Sequence, residues 1–344
     1  MKIVLCSGGT GGHMFPACVL FRELLKSDHL VSMVTDGRGE VFCADIEPKI
    51  VLDTVRYSDV KIFGVVSYLI GIFFRFLRLW RRETPDVVVG FGGILTVVPL
   101  VVGKILGAKV VVYEQNSIVG RANRFLKKIA DLRLSTFDLG SCWTRVAAPV
   151  REEFGRNVHY HCGEKITLLV IGGSQGAASF TRIIPDALRL LEPSNRRRVE
   201  IIQQVGEADA EKLRMAYEDI GVKAMLEKFL HHVSEIMAVS QLVICRSGAS
   251  TLSELSTVGR PAILIPYPSS SDDHQLHNAA YYGRKKAAWV LEETEEIAEK
   301  LARLLEQILS DPELLKSAAS NMIWESVGGA TGDFVKFVEN AAKS

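Results

Sequence analysis

Short runs of Val, Ile and Leu alternate along the chain with longer segments whose apolar residues recur at helical spacing. Lys2–Cys6 (KIVLC) predicts a strand, followed by a glycine cluster and a helical segment over about 15–26. Residues 31–35, 86–89, 109–113 and 132–135 predict four more strands, separated by apolar helical sequence. These runs are continuous rather than alternating, as in strands buried on both faces. Strands alternating with helices predict βαβ units and a parallel sheet. The pattern then restarts: 165–171 predicts a strand entering a glycine loop, and 199–205, 242–245 and 261–266 continue the series. Between the two series, 147–164 carries Pro149, Gly155 and Gly163 and little periodicity. Two successive α/β units are therefore expected, over 1–155 and 156–325. A helical tail follows over 326–344, for which packing back on the first unit is one arrangement.

Composition agrees and removes other classes. A chain of 344 residues suits two domains, at roughly 100–200 residues each. Apolar residues at 48% and charged residues at 24% are the balance of a folded protein. Forty-one basic against 40 acidic residues argue against a protein that coats nucleic acid, so no nucleic-acid partner is expected. Six cysteines without a CxxC pair suggest free thiols in a reduced compartment. The N-terminal strand meets glycine within seven residues, too short for a signal-peptide core. No apolar run reaches the roughly 18 residues of a spanning helix. A cytoplasmic protein, or one on the cytoplasmic face of a membrane, is expected.

Four glycine-containing loops follow predicted strands: 7–13 (SGGTGGH), 90–93 (GFGG), 172–177 (GGSQGA) and 246–251 (RSGAST). Glycine lets backbone approach a ligand closely, and a helix N-terminus after the loop favours an anion. The dinucleotide fingerprint fails, because counting from Gly9 puts Met14 at its third glycine, and no P-loop lysine is present. In open α/β sheets ligands bind beyond the carboxyl ends of strands, so these loops are the candidate binding surface. Glu254, in the first turn after the fourth loop, suits either ribose hydroxyls or the helix dipole.

Residues 62–82 (IFGVVSYLIGIFFRFLRLWRR) are too short in their apolar part to span a bilayer. Val66, Leu69, Ile70, Phe73, Phe74, Leu77 and Trp80 recur at helical spacing, and Arg75, Arg78, Arg81 and Arg82 cluster at the end. Aromatic residues beside arginines suit an interfacial helix on anionic lipid. A core helix with a basic last turn fits equally, as does a mixture of the two.

Taken together, the loops resemble the MurG family of glycosyltransferases (glycosyltransferase family 28). The residues carrying the resemblance are Gly8-Gly9-Thr10-Gly11-Gly12-His13, Gly90-Phe91-Gly92-Gly93, Glu114-Gln115-Asn116, Gly120-Arg121-Ala122-Asn123-Arg124 and Pro149-Val150-Arg151. They continue with Gly172-Gly173-Ser174-Gln175-Gly176-Ala177, Cys245-Arg246-Ser247-Gly248-Ala249, Ser253-Glu254, Asp272-Asp273-His274-Gln275 and Asn278-Ala279. The resemblance implies a GT-B fold, two Rossmann-like domains facing a cleft. The first would serve acceptor and membrane, and the second the UDP-sugar. It implies inverting transfer of N-acetylglucosamine from UDP-N-acetylglucosamine (UDP-GlcNAc) to the C4 hydroxyl of the N-acetylmuramyl unit of lipid I, forming lipid II. It also implies a peripheral enzyme on the cytoplasmic face of the bacterial inner membrane, with an anionic membrane surface as a partner.

By matching motif, donor contacts fall on Thr10, Gly11, Gly12, Asn116, Arg151, Ser174, Leu230, Ala249, Ser250, Thr251, Leu252, Ser253, Glu254 and Gln275, with Glu254 on the ribose. His13 matches the general base. Tyr113, Ile94 and Phe180 depart from the histidine, tyrosine and asparagine common in the family, the first two near expected acceptor contacts.

The chemistry is consistent with these assignments. Proton removal from a sugar hydroxyl suits histidine, whose unperturbed pKa is about 6.5, and a helix N-terminus beside His13 favours the neutral ring. Asp272-Asp273, His159/His161 and His231/His232 lack the spacing of a metal site, so no metal and no cofactor are expected. Loop N–H groups would hold the phosphates instead. Another GT-B transferase or a UDP-sugar epimerase is the nearest rival, and a sugar-nucleotide-binding protein without turnover is the non-enzymatic one.

Overall fold

The computed structural model describes residues 1–9, 11–52, 62–155, 159–172, 178–268, 270–325 and 331–343. The chain divides into two compact units, Met1–Arg151 with Val327–Ser344, and Glu152–Ser326.

The first unit carries β1 (Lys2–Cys6), β2 (Leu30–Asp36), β3 (Lys49–Leu52), β4 (Val87–Gly90), β5 (Lys109–Glu114), β6 (Leu132–Ser135) and β7 (Thr144–Arg145). They form one parallel sheet in the order β3-β2-β1-β4-β5-β6-β7. Its helices are α1 (Gly11–Lys26), α2 (Gly37–Glu40), α3 (Ile62–Trp80), α4 (Val97–Ile105) and α5 (Arg121–Leu126). The continuous apolar runs are explained by two covered faces. Ile3 and Leu5 pack with Met14, Leu20 and Phe21 of α1, whereas Val4 and Cys6 pack with Phe76, Leu100 and Val102 on the other face. Each such side chain contributes roughly 1.5–3 kcal/mol by leaving water.

The second unit carries β8 (Ile166–Ile171), β9 (Val199–Gln204), β10 (Lys223–Glu227), β11 (Leu242–Cys245), β12 (Ala262–Leu264) and β13 (Ala288–Val290). They are again all parallel, in the order β10-β9-β8-β11-β12-β13. Its helices are α6 (Phe180–Arg189), α7 (Pro193–Arg196), α8 (Glu207–Asp219), α9 (Val233–Val239), α10 (Ala249–Val258), α11 (His274–Arg284), α12 (Ile297–Ser310) and α13 (Pro312–Glu325). The last helix, α14 (Thr331–Lys343), belongs to the first unit, where it packs on α1, β4 and β5. Its Phe334 is fully buried, stacked on Phe91 with ring centroids 6.3 Å apart and edge-on to Tyr113 at 5.0 Å.

One local expectation is revised. Helix α1 begins at Gly11 rather than near residue 15, which puts His13 inside the first helical turn. Among the described side chains of α3 the buried ones are Ile72, Phe76 and Trp80, while Ile70 and Phe74 are 51% and 61% exposed beside Arg75 and Arg78. The helix is apolar on nearly every face, so spacing alone does not reveal which stripe meets the sheet. Among the described residues, no helix is long and apolar enough to cross a membrane.

Candidate active site

Each sheet reverses its strand order at one point, and there the loops at the strand ends diverge to leave a crevice. In the first unit this point lies between β1 and β4, and in the second between β8 and β11. The glycine loops quoted above leave these four strands.

The loop after β1 turns at Gly9, whose φ of +87° is in the left-handed region that glycine adopts without strain. Asp36, at the end of β2, fixes that turn. Its Oδ1 accepts from the Gly9 amide at 3.0 Å and the Gly39 amide at 2.8 Å, and Oδ2 accepts from Arg38 Nη2 at 3.0 Å. Burial works to raise the Asp36 pKa, but the two amides and the guanidinium outweigh it and hold the carboxyl below its ordinary value.

His13 is half-buried and clamped from the neighbouring strand end. Its Nδ1 lies 2.7 Å from the carbonyl oxygen of Phe91. A carbonyl only accepts, so Nδ1 carries the proton and Nε2 becomes the lone-pair nitrogen of the neutral ring. Gly92 closes the other side. A Cβ there would sit 3.0 Å from His13 Cε1 and 3.1 Å from Nδ1, and the φ of +88° independently selects glycine. The Gln115 side-chain amide also reaches Nδ1, at 2.9 Å.

Glu114, which is 2% exposed, organises the segment after β5. Its Oε1 accepts from Asn116 N and Nδ2, both at 3.1 Å. Its Oε2 accepts from Gly120 N and Asn123 Nδ2, both at 2.9 Å. Asn116 is thereby held beside the His13 cluster. Arg151 places its guanidinium 5.4 Å from the centre of the Phe15 ring on α1.

In the second unit, Gly248 is extended (φ −66°, ψ 139°) and opens α10. Ala249, Ser250, Thr251, Ser253 and Glu254 therefore occupy its first turns, while Leu252 is fully buried and offers a ligand only its backbone. Leu230 is 7% exposed and follows β10, the edge strand of the sheet. Gln275 is the second residue of α11, with its Oε1 accepting from Tyr267 N at 2.9 Å and its carbonyl from Ser247 Oγ at 2.6 Å. The helix follows two left-handed residues, Asp272 (φ 51°) and Asp273 (φ 53°), a conformation costing about 1–3 kcal/mol each outside glycine. Thr10 and Ser174 lie outside the described residues.

Motif reading missed the role of Arg246. Its Nη1 donates to the Ile265 and Pro266 carbonyls, both at 3.1 Å, and pairs with Glu293 at 2.6 Å. Its Nη2 donates to Ser179 Oγ at 3.0 Å, and the guanidinium lies over Phe180 and Tyr267. One buried cation thus ties the ends of β11 and β12 to the start of α6. Asp36 was equally unassigned, though an acidic residue ending a strand before Gly-Arg-Gly is a visible cue. Among the described residues no three His, Cys, Asp or Glu side chains converge as a metal site. All six cysteines are free, four of them buried, and burial pushes the Cys18 and Cys245 thiols up to about 12.

Comparison with known proteins decides the family. Residues 3–133 match the model for the glycosyltransferase family 28 N-terminal domain, and residues 167–333 that for the family 28 C-terminal domain. The chain belongs to glycosyltransferase family 28. A Rhodospirillum rubrum protein is 38% identical over 337 positions, covering 93% of this chain and 86% of the relative. An Allorhizobium ampelinum protein is 36% identical, covering 99% and 95%. Both are named UDP-N-acetylglucosamine–N-acetylmuramyl-(pentapeptide) pyrophosphoryl-undecaprenol N-acetylglucosamine transferase. The crystal structure of Acinetobacter baumannii MurG superposes with a TM-score of 0.83 at 25% identity, covering 99% of this chain and 100% of that one. The Streptomyces sp. SF2575 glycosyltransferase SsfS6, at 14% identity and a TM-score of 0.68 over 99% of both chains, shares the fold alone. The protein is a GT-B glycosyltransferase, as the family's motifs led us to expect.

Proposed function

We propose that the protein transfers N-acetylglucosamine from UDP-GlcNAc to the C4 hydroxyl of the N-acetylmuramyl unit of lipid I, with inversion at the anomeric carbon. The observation that carries the reading is the His13 cluster at a strand-order reversal, in a chain 36–38% identical to such transferases over nearly its whole length. His13 Nε2 takes the acceptor proton as the hydroxyl oxygen attacks the anomeric carbon. The bond to the UDP oxygen breaks on the opposite face, so one displacement inverts the centre.

Charge then develops on the diphosphate. Gly11, Gly12 and Thr10 after β1, with Ser174 after β8 and Ala249, Ser250 and Thr251 at the start of α10, supply N–H and hydroxyl donors for it. Leu252 and Ser253 continue that turn, Glu254 serves the ribose hydroxyls, and Leu230 and Gln275 complete the nucleotide-sugar contacts. Asn116 and Arg151 add polar contacts from the first unit. No metal enters this scheme.

The acceptor is a lipid, and the exposed Ile70 and Phe74 of α3, beside Arg75 and Arg78, suit an anionic bilayer surface. We place the enzyme peripherally on the cytoplasmic face of the inner membrane, with no nucleic-acid partner. The test is competition among UDP-GlcNAc, UDP-N-acetylgalactosamine and UDP-galactose for transfer to a short-chain lipid I analogue in EDTA. Turnover of UDP-GlcNAc alone is the expected result. Preferred turnover of another donor, or loss of transfer restored by Mg²⁺, refutes the reading.

A further inference from the structure

His13 Nδ1 lies 2.7 Å from the Phe91 carbonyl oxygen and 2.9 Å from the Gln115 side-chain amide. A single ring nitrogen cannot donate to the first and also accept an N–H from the second. The Phe91 contact is the shorter and its oxygen has no alternative role, so Nδ1 is the donor. With Gln115 Nε2 turned toward Nδ1, the buried Gln115 Oε1 has no hydrogen-bond partner among the described residues. A half-turn of the amide exchanges the two atoms. Oε1 then accepts from Nδ1–H and the conflict at the ring disappears; amide orientation is settled by such networks. Gln115 is 3% exposed, so its place is fixed by packing.

We infer that Gln115 is a positioning residue that shares the Nδ1–H of His13 with the Phe91 carbonyl through its Oε1, and so raises the basicity of Nε2. Two acceptors on one N–H stabilise the imidazolium more than the neutral ring, because the bond strengthens when the donor is charged. Three charged groups on elements around His13 are engaged elsewhere. Asp36 holds Gly9, Gly39 and Arg38, Glu114 holds Asn116, Gly120 and Asn123, and Arg151 lies over Phe15. Substitution at Gln115 leaves all of these side chains in place. The inference rests on the reading of His13 as the base, and its test separates the two.

The full-length protein, labelled with ¹⁵N-histidine, gives ring-nitrogen shifts for its eight histidines, with His13 assigned by the His13→Gln variant. We expect a protonated Nδ1 and a lone-pair Nε2 in the neutral wild-type ring. A lone-pair Nδ1 overturns the inference whatever the variants do. Gln115→Met keeps the volume and removes the acceptor. Gln115→Glu supplies an anionic one. The midpoint of the acidic limb of kcat/KM should fall by roughly half to one pH unit in the first and rise in the second, with KM for UDP-GlcNAc unchanged. An unmoved midpoint in variants that melt like wild type also overturns it. If His13→Gln transfers as well as wild type, the base assignment fails, while the ¹⁵N titration of His13 in the Gln115 variants still decides the present inference.

Discussion

Replacing Glu114 with glutamine changes one carboxylate oxygen to an amide NH₂ and leaves the side-chain volume almost untouched. Whichever way the amide turns, two of the four donors now on the carboxylate face another donor. These are either Asn116 N and Nδ2 or Gly120 N and Asn123 Nδ2. Hydrogen bonds to a charged partner are worth roughly 1.5–3 kcal/mol each, which sets a range of about 3–6 kcal/mol. The segment after residue 115 is half-buried and can recruit water, so the lower end, about 3 kcal/mol, is expected. That corresponds to roughly a hundredfold increase in local opening. Hydrogen–deuterium exchange of peptides spanning 114–126 reads it directly, and exchange in β8–β11 of the second unit should not change. Transfer activity should fall as well, because Gln115 and Asn116 lose their anchor. Wild-type exchange and wild-type activity in Glu114→Gln would refute the argument that this carboxylate organises the site.

Phe334→Ala removes the ring stacked on Phe91 and edge-on to Tyr113, and should destabilise the first unit by about 3–5 kcal/mol; an unchanged calorimetric transition for that unit would count against it. Asp36 has a depressed pKa in the folded protein. Its stabilisation is therefore fully present above its unfolded pKa and is lost as pH falls through the folded value. Asp36→Asn should flatten the acid side of the stability curve, and identical acid profiles for variant and wild type would contradict this. Replacing Arg75, Arg78 and Arg82 with glutamate, or Phe74 with serine, should weaken cosedimentation with anionic liposomes, the first effect shrinking as salt rises. Unaltered binding of both variants at low salt would remove α3 as the contact.

The strands near the middle of each sheet were legible because both of their faces are buried. β1, β4, β5, β8 and β11 read as unbroken apolar runs, and helices between them implied parallel pairing. The strands missed were β3, β7, β10 and β13. They lie at or next to sheet edges; β7 has two residues and β13 three, and β10 opens with an exposed lysine, so burial wrote little into them. At the site, loop positions were legible because glycine marks them. The partners were not. The contact from His13 to Phe91 joins a side chain to a backbone oxygen 78 residues away, and a backbone oxygen leaves no trace in residue type. Gln115 stood inside a quoted motif without a role, because its role depends on a ring brought to it by a different strand. In α3 every face is apolar enough to be the buried one, so only the fold selects Phe76 over Phe74.

The most direct test of the central claim is label transfer from UDP-GlcNAc to a short-chain lipid I analogue by the wild-type protein and by His13→Gln. The wild type should transfer, and the variant should lose about 10²–10⁴-fold in rate while still binding the donor. Equal rates for the two would remove His13 as the base. A wild-type protein that binds UDP-GlcNAc and transfers nothing would contradict the proposed reaction itself.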